Sequence, residues 1–119
     1  MNNITSLDLR LMEGRTYIVG REGHIYINDP TISKHHAELT IINRRIYLRD
    51  LNSTNGTYLL KNKNLVYFEE GYVNLLQTIM IGNQKHTIQN LLAIASEYVA
   101  SDSATTEMNI INKSKANQA

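Results

Sequence analysis

From the N-terminus to about residue 91, apolar and polar side chains alternate with a period of two. Leu7, Leu9 and Leu11 are separated by Asp8 and Arg10, Ile25 and Ile27 flank Tyr26, and Ala37, Leu39 and Ile41 are spaced by Glu38 and Thr40. Ile46 and Leu48 repeat the pattern, followed by Tyr58–Leu60, Leu65–Phe68, Tyr72–Leu76, Ile79–Ile81 and Thr87–Leu91. A period of two puts every second side chain on one face, which is the geometry of a half-buried strand. Turn-forming clusters punctuate the runs at Glu13-Gly14, Asn28-Asp29-Pro30, Asn43-Arg44-Arg45, Asn52–Gly56, Lys61–Asn64, Glu69-Glu70-Gly71 and Gly82-Asn83. Many short strands at this spacing predict an all-β sandwich or barrel over residues 1–91.

The period changes after Leu91. Leu91, Ile94, Ala95 and Tyr98 fall at i, i+3, i+4 and i+7, one face of a short C-terminal helix over about 92–100. From Ser101 onward Ser, Asp, Asn, Lys, Gln and Ala prevail. Such a segment buries too little to offset its ordering entropy, so 101–119 is expected to be a polar disordered tail. The longest unbroken apolar run, Leu91–Ala95, is far too short to span a membrane. The N-terminus lacks the basic start and apolar stretch of a signal peptide. With no cysteine there are no disulfides, thiolate metal sites or cysteine nucleophiles, and the cytoplasm is the default compartment. A net charge of +1 lacks the basic stripe that nucleic-acid binding needs.

Three islands stand out against the strand pattern: Gly20-Arg21, Ser33-Lys34-His35-His36, and Ser53-Thr54-Asn55-Gly56-Thr57. Arg21 follows a glycine where the strand Thr16–Val19 opens into a loop, and its guanidinium fork suits a phosphate dianion through two charge-assisted bonds. Taken alone, Gly-Arg is more often a turn glycine followed by a surface arginine. Ser33 precedes the strand Ala37–Ile42 and can offer a hydroxyl and a backbone N–H, while Lys34 adds a point charge. His36 invites a rival reading as the catalytic base of a small hydrolase with Ser33 as nucleophile. No elbow glycines surround Ser33 and no oxyanion arrangement is legible, and a histidine opening a strand is more often a hydrogen-bonded scaffold residue. His35 and His36, adjacent, point to opposite faces and make a poor metal pair. Asn55-Gly56 is a strong turn signal, yet a turn alone does not account for the hydroxyls of Ser53 and Thr54 ahead of it.

In this order and spacing the islands resemble the forkhead-associated (FHA) domain family, with Asp50-Leu51 before the Ser53-Thr54-Asn55-Gly56 loop and Ile79-x-Ile81-Gly82 near the end also matching. The resemblance covers most of residues 10–90. It implies a two-sheet β-sandwich of about eleven strands with ligand loops clustered at one end. It also implies that Arg21, Ser33 and Thr54 bind a phosphate with help from Lys34, that Asn55 holds the ligand main chain, and that Gly20, His36 and Gly56 are scaffold of the binding loops. Thr31-Ile32 stands where the family's loop helps choose the residue three positions after the phosphothreonine, and an uncharged pair there disfavours an acidic residue. The chain departs from the family in having Gln77-Thr78 where a Gly-Asp pair is common, and in a longer stretch over Leu60–Leu76.

The function so implied is that of a phosphothreonine-dependent peptide-binding module, a signalling adaptor in Ser/Thr kinase pathways rather than an enzyme. The expected partner is a phosphothreonine-containing protein; no cofactor, metal, nucleic acid or membrane is expected. The alternative is a structural interaction domain of the same fold that does not need phosphate. The chain is expected to be monomeric. Thr105 and Thr106, if phosphorylated, would give the tail a means of binding its own domain, in cis or between two copies.

Overall fold

The computed structural model describes residues 7–106. Nine strands among them run in the order β1 (Thr16–Gly20), β2 (Ile25–Tyr26), β3 (Ala37–Ile42), β4 (Arg45–Asp50), β5 (Thr57–Lys61), β6 (Asn64–Tyr67), β7 (Glu70–Val73), β8 (Thr78–Ile81) and β9 (Gln84–Thr87), followed by helix α1 (Ile88–Thr106). They form two sheets, one ordered β2-β1-β3-β4-β7 and the other β6-β5-β8-β9. The β1–β2 pair is parallel and short; the pairs β1–β3, β3–β4, β4–β7 and β5–β8 are antiparallel.

The alternation sets the register. Across β3 and β4, Leu39 lies opposite Leu48 and Ile41 opposite Ile46, so all four side chains reach the inner face and are buried. A one-residue slip would turn the whole set to solvent. Leu59, Ile79 and Ile81 supply the facing layer from the second sheet. The β3–β4 turn uses Asn43 and Arg44 at φ 52° and 62°, and the β5–β6 turn uses Asn62 and Lys63 at φ 50° and 71°. Two consecutive positive φ values give the turn twist that matches a hairpin, and asparagine tolerates the first position. Glu13 steadies the β3–β4 turn by accepting the N–H groups of Asn43 (2.5 Å) and Arg44 (3.0 Å).

The two ends of the domain depart from the sequence expectation. The Leu7–Leu11 alternation does not make a strand: Leu9–Met12 is a 3-10 helix. The Asp8 carboxylate accepts the Arg10 N–H and also pairs with the Arg10 guanidinium, a local bond that competes with extended backbone. Met12 is buried while Leu11 is left in solvent. At the other end, the expected strand Thr87–Leu91 keeps only its first residue, which ends β9, while residues 88–91 are helical. The Thr87 hydroxyl accepts the Asn90 N–H at 3.1 Å, the bond an N-cap residue makes, and α1 begins at Ile88, earlier than the 92–100 expected. Its buried face is Ile88, Leu91, Leu92 and Ala95, with Ile94 turned outward. The helix also continues through residues 101–106, which were expected to be tail; the remainder of that expectation, over 107–119, lies outside the described residues. Among the described residues no helix is long and apolar enough to cross a membrane.

Candidate functional site

The loops β1–β2, β2–β3 and β4–β5 meet at one end of the sandwich because β1, β3 and β4 are adjacent strands whose ends coincide there. Gly20 allows the first two to touch. A side-chain carbon at Gly20 would sit 2.2 Å from the Lys34 carbonyl oxygen and 2.7 Å from that of Ser33, so any other residue would push the loops apart. The close approach is used at once: the Arg21 N–H donates to the Ser33 carbonyl and the Glu22 N–H to the Lys34 carbonyl.

His36 ties the second loop to the third. Its Nδ1 accepts the Ser33 backbone N–H at 3.0 Å, which leaves the proton on Nε2, and Nε2 donates to the Gly56 carbonyl at 2.9 Å. The ring is fully buried. Both nitrogens are engaged by backbone, so the ring has no free acceptor to draw a proton from the Ser33 hydroxyl.

The third loop is folded around Asp50. One carboxylate oxygen accepts the hydroxyls of Ser53 (2.6 Å) and of buried Thr57 (2.7 Å), and the other accepts the Ser53 N–H (3.0 Å). Ser53 Oγ in turn accepts the Gly56 N–H. Gly56, at φ +85°, sits in the left-handed region where a side chain is strained. Ser53 is therefore consumed inside the loop, which separates it from its neighbour Thr54. The Thr54 N–H donates to Ser33 Oγ at 3.0 Å, and the Asn55 side-chain amide donates to the Thr31 carbonyl at 2.8 Å. These two bonds close the ring of loops.

What remains is a cavity of about 310 Å³ lined by Arg21, Ser33, Lys34, Thr54 and Asn55, with residues 30–32 as a further wall. The structure thus brings together all five residues expected to contact ligand, and places Gly20, His36 and Gly56 behind them. Arg21 is half-buried, and its Nε donates to the Ile32 carbonyl at 2.6 Å. That bond fixes the fork; its two terminal nitrogens keep no protein partner among the described residues. Ser33 Oγ accepts from Thr54, so its own hydrogen is free to donate. Lys34 is exposed, 3.7 Å from Glu22, a separation at which the pair contributes little. No carboxylate lines the cavity. Two cations, free hydroxyl donors and no acidic wall make a place suited to a compact anion.

Sequence reasoning missed Asp29, which lies behind the cavity wall and braces Thr31. Asp29 accepts the Thr31 N–H and hydroxyl, and also the Gln84 side-chain amide from β9. These bonds hold the Asp29 carboxyl below its ordinary range, those from Thr31 most of all. The Asp-x-Thr spacing was visible as a local turn signal; the partner more than fifty residues away was not.

The FHA domain family model matches residues 17–74, from β1 through β7, a span that contains all five cavity residues named above. No curated protein matches the chain. Among solved structures, one from a structural and functional analysis of phosphothreonine-dependent FHA domain interactions is 26% identical, with a TM-score of 0.53 over 59% of this chain and 71% of the other. The FhaA FHA domain, solved in complex with the intracellular domain of Rv3910, is 28% identical, with a TM-score of 0.52 over 59% of this chain and 75% of its own. The FHA domain of the CT664 protein from Chlamydia trachomatis is 28% identical, with a TM-score of 0.53 over 61% of this chain and 73% of its own. The two-sheet architecture, the three-loop site and these matches lead to one conclusion: residues 17–74 of this chain match the FHA domain family, and the sandwich they form has the FHA fold.

Proposed function

We propose that this domain is a phosphothreonine-dependent peptide-binding module, acting as an adaptor in Ser/Thr kinase signalling in the cytoplasm. One observation carries the reading: the unpartnered end of the Arg21 guanidinium, Lys34, and the hydroxyl-bearing Ser33 and Thr54 converge on a cavity with no carboxylate in its lining. In this reading Arg21, Ser33 and Thr54 hold the phosphate, Lys34 adds charge, and Asn55 grips the peptide main chain with the amide capacity left after its bond to Thr31. The FHA domain studied for phosphothreonine-dependent interactions supports the choice of ligand class.

The magnitudes agree. Hydrogen bonds to charged groups contribute about 1.5–3 kcal/mol each. Three give roughly 5–9 kcal/mol before association costs are subtracted. An affinity near micromolar, about 8 kcal/mol, is the upper end of what such a site supplies with some help from main-chain contacts. Phosphate then accounts for most of the binding.

The test is fluorescence anisotropy with a degenerate phosphothreonine peptide library and its unphosphorylated counterpart. The reading expects saturable binding of the first and none of the second. Equal binding of both would favour an interaction domain of the same fold that does not read phosphate, and binding of neither would remove the peptide-binding reading.

A further inference from the structure

We propose that Asp29 is a positioning residue for ligand recognition, and that it works by fastening the Asn55-bearing side of the cavity to the β8–β9 hairpin. The proposal rests on the phosphopeptide reading above and adds to it a part of the molecule, residues 82–84, that lies outside the three loops.

The bonds form a chain. Asp29 Oδ1 accepts the Thr31 N–H at 2.8 Å and the Thr31 hydroxyl at 2.5 Å. Asp29 Oδ2 accepts the Gln84 amide at 2.8 Å, and Gln84 Oε1 faces His86 Nε2 at 2.8 Å. With its proton given to Asp29, the Thr31 oxygen accepts the Asn83 N–H at 2.9 Å. Thr31 is thus held from three directions, and its carbonyl accepts the Asn55 side-chain amide at 2.8 Å. Gly82 completes the contact. It sits at φ +57°, and a side-chain carbon there would lie 2.4 Å from the Thr31 hydroxyl and 2.7 Å from the Thr31 carbonyl oxygen. The hairpin backbone therefore lies directly against Thr31.

The consequence concerns orientation. An exposed asparagine samples several rotamers, and an amide that must present one face to a peptide backbone gains from having its other face fixed. Here the fixing acceptor is the Thr31 carbonyl, and Asp29 decides where that carbonyl points. The Arg21 fork is set by the Ile32 carbonyl, and Ile32 is tied to Asp29 only through the backbone, its N–H donating to the Asp29 carbonyl at 3.0 Å, a bond that replacing the Asp29 side chain keeps. Loss of Asp29 should weaken the grip on peptide main chain and leave the grip on phosphate alone.

That division gives the test. Affinity of the 119-residue chain for a phosphothreonine peptide and for inorganic phosphate is measured for wild type, Asp29→Ala, Thr31→Val and Thr31→Ser, with melting temperature alongside. Asp29→Ala and Thr31→Val are expected to weaken the peptide up to about tenfold, one neutral hydrogen bond's worth, with phosphate affinity unchanged. Thr31→Ser, which keeps the hydroxyl, is expected to behave as wild type. Parallel weakening of peptide and phosphate, or a lower melting temperature with unchanged peptide affinity, would overturn the proposal by reducing Asp29 to a structural brace. Failure of wild type itself to bind the peptide would instead overturn the functional reading on which it rests.

Discussion

The two ends of the sandwich are built in contrasting ways. At one end the loops around Arg21, Ser33 and Thr54 are cross-linked by hydrogen bonds through His36 and Asp50, and the space they leave is about 310 Å³ with cations and hydroxyls on its wall. At the other end the chain turns tightly at Asn43-Arg44 and Asn62-Lys63. The sheets gape there over a larger space, about 810 Å³, floored by apolar side chains such as Leu59, Phe68, Val73 and Leu75. Volume at the end of a sandwich reflects how far two twisted sheets diverge. Recognition of an anion needs donors whose positions are fixed before the ligand arrives; the larger cavity has Arg44, Arg45 and Lys61 on its lining but no Ser or Thr hydroxyl, and the smaller one combines cations with the hydroxyls of Ser33 and Thr54.

The largest expected effect breaks that end at its cation. Arg21→Ala should cut phosphothreonine-peptide affinity at least a hundredfold, the loss of two charge-assisted bonds at about 1.5–3 kcal/mol each. Calorimetry checks it. The melting temperature should move little, because only the bond to the Ile32 carbonyl leaves the fold. Arg21→Lys should not restore binding, since an ammonium has no fork.

His36→Ala strikes the same end from behind. It strands the Ser33 N–H and the Gly56 carbonyl, at a cost of about 1–3 kcal/mol each where burial keeps water out. Denaturant unfolding should show that loss together with weaker peptide binding. Unchanged stability with lost binding would mean that His36 faces ligand and is not a brace.

Phe68→Ala sharpens the contrast from the far end. Phe68 is partly buried against the core and lines the larger cavity, so its removal should cost about 1–2 kcal/mol of stability through lost apolar burial. Peptide affinity should match wild type. A coupled loss of affinity would show that the two ends communicate through the core.

The smallest effect concerns pH at the far end. Hydrogen bonds from the Asn43 and Arg44 N–H groups hold the Glu13 carboxyl below its ordinary value of 4.5. A depressed folded-state pKa means the contribution is fully present above the unfolded value and disappears as pH falls through the lower folded one. The melting temperatures of wild type and Glu13→Gln should therefore differ slightly at neutral pH and converge as pH falls below 4.5 and through the lower folded-state value. Glu13 is exposed, so the gap at neutral pH should be small.

Much of the three-loop end was legible in the sequence because its contacts are encoded in short local islands. Gly20-Arg21 and Ser53–Thr57 each announce a turn and a chemistry, and strand alternation brings the islands to one end. The buried roles of Asp50 and Ser53 were less visible: Asp50-Leu51 stood out as a match to the family, and only the folded loop shows that Ser53 turns inward while Thr54 faces the cavity. The Asp29–Gln84 bond was invisible, since nothing local in Gly82–Gln84 names a partner across the sandwich. The terminal elements misled for a physical reason. Leu7–Leu11 alternates, but Asp8 bonds its own backbone neighbour and winds the segment. Residues 88–91 were read as strand, but Thr87, the last residue of β9, caps a helix that starts at Ile88. In both places one capping bond outweighs a few residues of periodicity.

The measurement that bears most directly on the whole account is a backbone-amide NMR titration of the 119-residue chain with a phosphothreonine peptide and, in parallel, the same peptide unphosphorylated. The account predicts saturable shifts at Arg21, Ser33, Lys34, Thr54 and Asn55 with the phosphorylated peptide alone, and silence at residues 43–44, 61–63 and 74–77. Shifts centred on the far end, or the same shifts from both peptides, would contradict it.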